Sequence, residues 1–182
     1  MDERALNATA ASLLGFLHWG SLTGWDLAGT AQEVIGDFWS LTRSQVYREL
    51  AWMAEAGLVE AGERGPRDRR PYTVTNAGRE AFRTWVEREP GPETIRFPLL
   101  LTIGFGRHVP PDRLARFVHR HRTVHADRLA AYEDQAAAMD AAPPDIYARS
   151  TLEFGIRYER AVLEWFDSLP EAVRGPRSYA SA

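Results

Sequence analysis

Val46, Leu50, Met53 and Ala54 recur at the three- to four-residue spacing of one buried helix face, and Tyr47 and Ala51 widen that stripe. Arg43, Ser44, Gln45, Arg48 and Glu49 are left to face outward near the start of the same helix. Thr42 followed three residues later by Gln45 predicts a capping box, in which the two side chains satisfy backbone groups that the first turn leaves unpaired. Gly57 stops the helix. Beyond it the period shortens to about two, so that Leu58–Glu60 and Tyr72–Val74 predict two short strands. The connection GERGPRDRRP is too long for a tight turn. It carries Arg64, Arg67, Arg69 and Arg70, interrupted by Asp68, with Gly65 and Pro66 bending the backbone.

The breakers place the remaining elements. Leu6–Trp19 reads as a helix that buries Leu13, Leu14, Phe16 and Leu17, and Thr23 caps a second helix to about Ile35, with Asp26 closing its capping box. Gly36–Leu41 is the turn before the helix at Arg43. Thr75 begins another helix holding Ala81, Phe82, Trp85 and Val86, and EPGPET then marks a linker. Three further helices follow, over about Pro98–Gly106, Pro111–Met139 and Pro144–Leu169. The middle one carries Leu114, Phe117, Val118, His121, His125, Leu129 and Tyr132 along one stripe. The last is apolar on two sides, with Leu152, Ile156, Leu163 and Phe166 on one and Phe154, Tyr158, Ala161 and Trp165 on the other. Such a helix needs two neighbours, and a second subunit supplies the one that its own domain does not.

An arginine cluster in a loop is ordinarily solvated charge. The order of elements changes its meaning, because a helix presenting Arg, Ser and Gln, then Gly, then two strands flanking a basic loop outlines a winged DNA-reading unit. The expected contacts are Arg43, Ser44, Gln45, Tyr47 and Arg48 on the helix and Arg64, Arg67, Arg69 and Arg70 on the wing. Catalytic chemistry finds little support: Asp26, Asp37 and His18 form no nucleophile or acid/base arrangement, and neither GERGP nor LTIGFG has phosphate-cradling spacing. His121 and His125 lie four apart on one helix face, as metal ligands can, with His119 near. No carboxylate stands in an obvious third position, so helix packing is the expected role, with no metal and no cofactor.

Several segments resemble the PadR-like transcriptional regulators. LLGFLHWGSLTGWDL at Leu13–Leu27 is similar to that family's opening pattern, with Trp25 where tyrosine is usual. FWSLTRSQVYREL at Phe38–Leu50 resembles its recognition-helix segment, and EAGLVE with RRPYTVTNAGREAF resembles its wing and the helix after it. The resemblance implies a mostly α fold with a small β-hairpin: a winged helix-turn-helix over residues 1–89, a linker at 90–97, a helical dimerisation domain at 98–170 and a tail at 171–182. It also implies repression and an operator of double-stranded DNA. Dimer contacts are expected from Leu152, Phe154, Ile156, Leu163, Trp165 and Phe166. Tyr132, Phe154, Arg157, Tyr158 and Trp165 are expected to meet a small aromatic effector, like the phenolic acids that some members sense. A winged helix used only for protein contact, or a small enzyme built on the helical domain, are the rival readings.

Composition narrows these expectations. With 182 residues, 45% hydrophobic, the chain has ample material for an ordered core. Its formal net charge is −3, and residues 1–89 hold ten arginines against thirteen acids, so attraction to phosphate must be local. All 22 basic residues are arginine, which suits forked contacts to phosphate and guanine. The absence of cysteine excludes disulfides and thiolate zinc sites. The longest apolar run, FPLLLTIGF, is too short to span a bilayer, and Met1 leads into charged DERALN rather than an apolar leader. A cytoplasmic bacterial protein with no membrane partner is the expectation.

Overall fold

Asn7 opens the first helix: its side-chain oxygen accepts the Ala10 backbone N–H at 2.9 Å, and α1 runs over Ala8–Leu17. The computed structural model describes residues 4–36, 38–65, 69–93, 95–140, 143 and 145–176. It divides into two units, residues 1–92 and 93–182.

In the first unit α1 is the central element, burying Ala10, Ala11, Leu13, Leu14, Phe16 and Leu17. Around it pack Leu27 and Ala31 from α2 (Gly24–Val34) and Val46, Leu50 and Met53 from α3 (Arg43–Glu55). Val59 of β2 (Val59–Ala61), Val74 of β3 (Pro71–Val74) and the partly buried Phe82 of α4 (Asn76–Val86) complete this core. Fully burying such a side chain stabilises the unit by roughly 1.5–3 kcal/mol, which is why the apolar spacing decides the helix faces. Both capping boxes form, at Thr23/Asp26 and Thr42/Gln45. α3 ends in a Schellman turn: Gly57, at φ 70°, donates to Ala54 O at 3.2 Å and Leu58 donates to Met53 O at 2.8 Å.

Sequence reading missed one strand. Leu22–Thr23 forms β1, which pairs antiparallel with β3 (Leu22 opposite Tyr72, Thr23 opposite Pro71) and makes a sheet of order β1-β3-β2. Two residues are too few to show a period, and the pairing depends on a segment far along the chain. Thr75 then turns the chain into α4, accepting from Gly78 N at 3.0 Å and donating through its hydroxyl to Gly57 O at 2.8 Å. Gly78 is required there, since a Cβ at that position would lie 2.0 Å from the Leu58 carbonyl oxygen.

The second unit is a helical hairpin with short flanking pieces. α5 (Pro98–Gly104) starts with proline at its first turn, where no backbone N–H is needed, and a 3-10 turn follows at Gly106–His108. α6 (Pro111–Asp140) and α7 (Ile146–Ser168) pack along each other. Their ion pairs, Arg122–Asp167, Arg160–Glu133 and Arg149–Asp140, run in opposite order along the two helices, so the pair is antiparallel. Gly155 allows close approach, because a Cβ there would stand 2.8 Å from the Tyr132 ring. The residues expected as a tail begin with a further turn, α8 (Glu171–Arg174), whose Val173 packs with Leu99, Val118 and Phe166. Among the described residues no helix is long and apolar enough to cross a membrane.

Candidate nucleic-acid interface

The outer face of α3 is set by its cap and by the first turn of α2. Gln45 Oε1 accepts from the Thr42 backbone N–H at 2.8 Å and from the Thr42 hydroxyl at 2.9 Å, so its carbonyl is committed to the cap and only its amide N–H groups face away. Ser44 is exposed. The Arg43 guanidinium carbon lies 3.9 Å from the centre of the Trp25 ring. Tyr47 is 48% exposed and its ring occupies the space beside Gly24, where a Cβ would come within 2.5 Å of it.

Three assignments along this helix are corrected, the first being Tyr47, expected to widen the buried stripe but 48% exposed. Glu49, expected to face outward, is only 1% exposed, and Ala51, expected in the buried stripe, is exposed. The buried line is Val46, Glu49, Leu50 and Met53, which follows helical spacing but places an acid inside. Its carboxylate is compensated from residues that spacing alone could not name. Arg4 donates to Oε2 at 2.6 Å and Asn7 at 3.3 Å, while Arg48, itself largely exposed, reaches Oε1 at 3.4 Å. A buried charge without such partners would be strongly disfavoured. Glu49 therefore ties the start of α1 to the recognition face.

On the wing, Arg69 and Arg64 are exposed, and the Arg69 carbonyl accepts the Gly65 N–H at 2.8 Å. Arg70 folds back instead: Nε donates to Gly62 O at 2.9 Å and Nη2 to Ala61 O at 3.3 Å, so it laces the hairpin. Arg67 lies outside the described residues. Glu63 is exposed on the same hairpin and tempers its charge.

In the second unit, Leu152, Ile156 and Phe166 are buried within the chain's own clusters, so they are not available to a partner as expected; Leu163 is half-buried. Phe154 is 65% exposed and stacks with the exposed Tyr158 at 6.3 Å. Tyr132 belongs to the cluster of Ala136, Leu152 and Ile156, whereas Trp165 packs on Phe97 and Phe166 in the other. Arg157 is paired with Glu153 at 2.8 Å. The five residues expected around an effector are thus split between two clusters and one exposed stripe.

The histidine stripe has a partner that the sequence reading did not see: Nδ1 of buried His125 is hydrogen-bonded to the buried Glu159 carboxylate of α7. Among the described residues no group of three or more histidine or carboxylate side chains is arranged to hold a metal. Burial first, then the charges of His125 and Arg120, lower the proton affinity of His121 below its ordinary value of 6.5. Its effect on stability is absent above that value and becomes a penalty as pH falls toward the lowered folded-state pKa, because the unfolded chain takes up the proton more readily. His121→Gln is expected to flatten the decline of the thermal midpoint between about pH 7.5 and about pH 5; an unchanged decline would place the titrating group elsewhere. Arg122, by contrast, has its proton affinity raised by its hydrogen bond to Asp167.

Comparison with known proteins bears on both units. Residues 13–84 match the family model described as the transcriptional regulator PadR-like family, and residues 95–174 match that of the virulence activator alpha C-terminal region. Over residues 13–84 the chain is thus similar to the PadR-like family. That family is described as one of transcriptional regulators. The negative transcriptional regulator PadR of Bacillus subtilis is 26% identical over 169 residues, covering 87% of this chain and 93% of that protein. The crystal structure of that PadR in complex with operator DNA is similar with a TM-score of 0.73 over 91% of this chain and 97% of that one; at 22% identity the likeness shows the fold. The same protein in complex with p-coumaric acid gives 0.68 at 23% identity, covering 89% and 96%. The Vibrio cholerae virulence activator AphA is 28% identical with a TM-score of 0.63, covering 91% and 96%. The PadR-like fold of this chain is accordingly mostly helical with a small antiparallel sheet, a winged helix-turn-helix followed by a helical unit.

Proposed function

We propose that the protein is a homodimeric repressor that places α3 of each subunit in the major groove of a pseudo-palindromic operator and steadies it with the wing. The observation that carries this reading is the outer face of α3, where Arg43, Ser44 and Arg48 are exposed beside a sheet that ends in the exposed Arg64 and Arg69. Arg43, Ser44 and the free amide of Gln45 lie at the helix start, which is the end that meets base edges in helix-turn-helix proteins. Arg48, Tyr47 and the wing arginines, Arg67 and Arg70 among them, serve the phosphates. Negative regulation by the Bacillus relative supports the repressor reading.

Phe154 and Tyr158 supply the dimer contact on the exposed face of α7, together with the outer edges of Leu163 and Trp165. A small aromatic acid that settled among Phe154, Tyr158 and Arg157, with Tyr132 and Trp165 at its borders, would alter the same face that joins the subunits. It would change the spacing of the two α3 helices, which must match about one turn of DNA, roughly 34 Å. The p-coumaric acid complex of the Bacillus protein supports an effector of that chemistry.

A gel shift against the DNA upstream of the protein's own coding sequence tests the reading, and no salt-dependent binding to any duplex would reject it. Arg69→Ala is expected to weaken operator and random duplex alike and to lower the log-log salt slope by about 0.9, the value of one phosphate contact. Arg70→Ala should change the slope less, because that guanidinium is held by Ala61 and Gly62. Equal slopes for the wild type and Arg69→Ala would take Arg69 out of the interface.

A further inference from the structure

We infer that Trp25 is a positioning residue that holds the Arg43 guanidinium in the orientation in which it reads the operator. The inference rests on the proposed operator binding for its functional half and on geometry for the rest. Arg43 is the first residue of α3, at the positive end of the helix dipole, where a cation is unfavourable to the helix itself. Among the described residues no carboxylate draws it there, and its guanidinium carbon lies 3.9 Å from the centre of the Trp25 ring, over whose face a cation is attracted. Arg43 is itself exposed, so the side of the guanidinium away from the ring is open to an incoming base or phosphate.

The platform is itself fixed. Trp25 sits in the first turn of α2, whose cap, Thr23, is closed by Asp26 through a hydroxyl hydrogen bond of 2.7 Å. Thr23 is also a residue of β1 and stands opposite Pro71 of the wing. The neighbouring residue, Gly24, receives the ring of Tyr47, one helical turn on from Arg43. The first turn of α2 thus supports two successive outward residues of α3, and the sheet that carries the wing fixes that turn. An arginine held in one orientation before binding loses less freedom on binding, so the gain appears as affinity for the sequence it reads.

A double-mutant cycle with nuclear magnetic resonance on the full chain tests this. Trp25→Leu is expected to reduce operator affinity about fivefold while the thermal midpoint stays within a few degrees, and Trp25→Phe, which keeps an aromatic face, to reduce it about twofold at most. In an Arg43→Ala background Trp25→Leu should change operator affinity by less than about twofold. Losses that multiply independently would overturn the inference and make Trp25 a DNA contact in its own right. In DNA-free protein the Arg43 side-chain protons should be shifted upfield by the indole and return toward ordinary values in Trp25→Leu; unshifted protons in the wild type would also overturn it. A wild type that binds no duplex would remove the operator reading, and the role of the pair with it, while the chemical shifts still reported the pairing itself.

Discussion

Gly78→Ala is expected to lower the stability of the first unit by about 3 kcal/mol, the upper part of the range for forcing atoms into a packed site. The added Cβ would meet the Leu58 carbonyl oxygen at 2.0 Å, well inside contact distance, and the obstacle is backbone rather than a side chain that could swing away. That same carbonyl accepts the Thr75 N–H at 3.1 Å and the Thr75 hydroxyl at 3.1 Å, so moving it breaks the junction between β2 and α4. A unit of this size loses roughly 4–8 °C of melting midpoint per kcal/mol, which makes a fall of more than about 10 °C the measurable outcome. Because β2 pairs with β3, and β3 with β1, the wing should loosen before the helical core does. Hydrogen exchange of the Val59 and Val74 amides would record it. A midpoint within about 2 °C of the wild type would mean that α4 can shift away from β2 at little cost, contrary to the packing described.

The features legible in the sequence are those set by neighbours within one helical turn or one strand. Thr42/Gln45 and Thr23/Asp26 are local devices, and both close as their spacing predicts. Gly57 ends α3 because a left-handed residue is needed there, which is again a local demand. Glu49 shows where such reasoning stops. It sits on the buried line by helical arithmetic, yet an acid is assigned outward by default. Arg4 and Asn7, at the start of α1, together with the adjacent Arg48, make its burial tolerable. Glu159 and His125 repeat the lesson in the second unit, where two helices must pack before the pair can be seen. The arginines divide on the same ground: Arg69 and Arg70 are adjacent and chemically identical, but the hairpin gives Arg70 two carbonyls and leaves the Arg69 side chain exposed. The family resemblance names the type of interface; which guanidinium is spent inside the fold depends on contacts between distant residues.

The exposed stripe of α7 leads to the other large expected effect. Cutting the chain near residue 144 would remove Leu152, Ile156 and Phe166, which fill the second unit's own clusters, so it would unfold that unit rather than test the dimer alone. Phe154 and Tyr158 are a better target, since they stack on each other at the surface and belong to neither cluster. The double substitution Phe154→Glu, Tyr158→Glu sets two charges on that face, and across a twofold axis they would meet two more, which a desolvated interface does not tolerate. The expected result is a monomer with unchanged helix content and operator affinity reduced about 100-fold or more, because the second half-site then loses the effective concentration that linkage provides. Affinity for a single half-site should fall little, since α3 and the wing are untouched. Leu152→Glu serves as the contrast: it strikes the core and should cost helix content as well. Light scattering, circular dichroism and gel shift separate these outcomes. A stable dimer with undiminished operator affinity would exclude this face and move the subunit contact to another exposed apolar surface, of which Leu101 and Phe105 beside α6 are the next to examine.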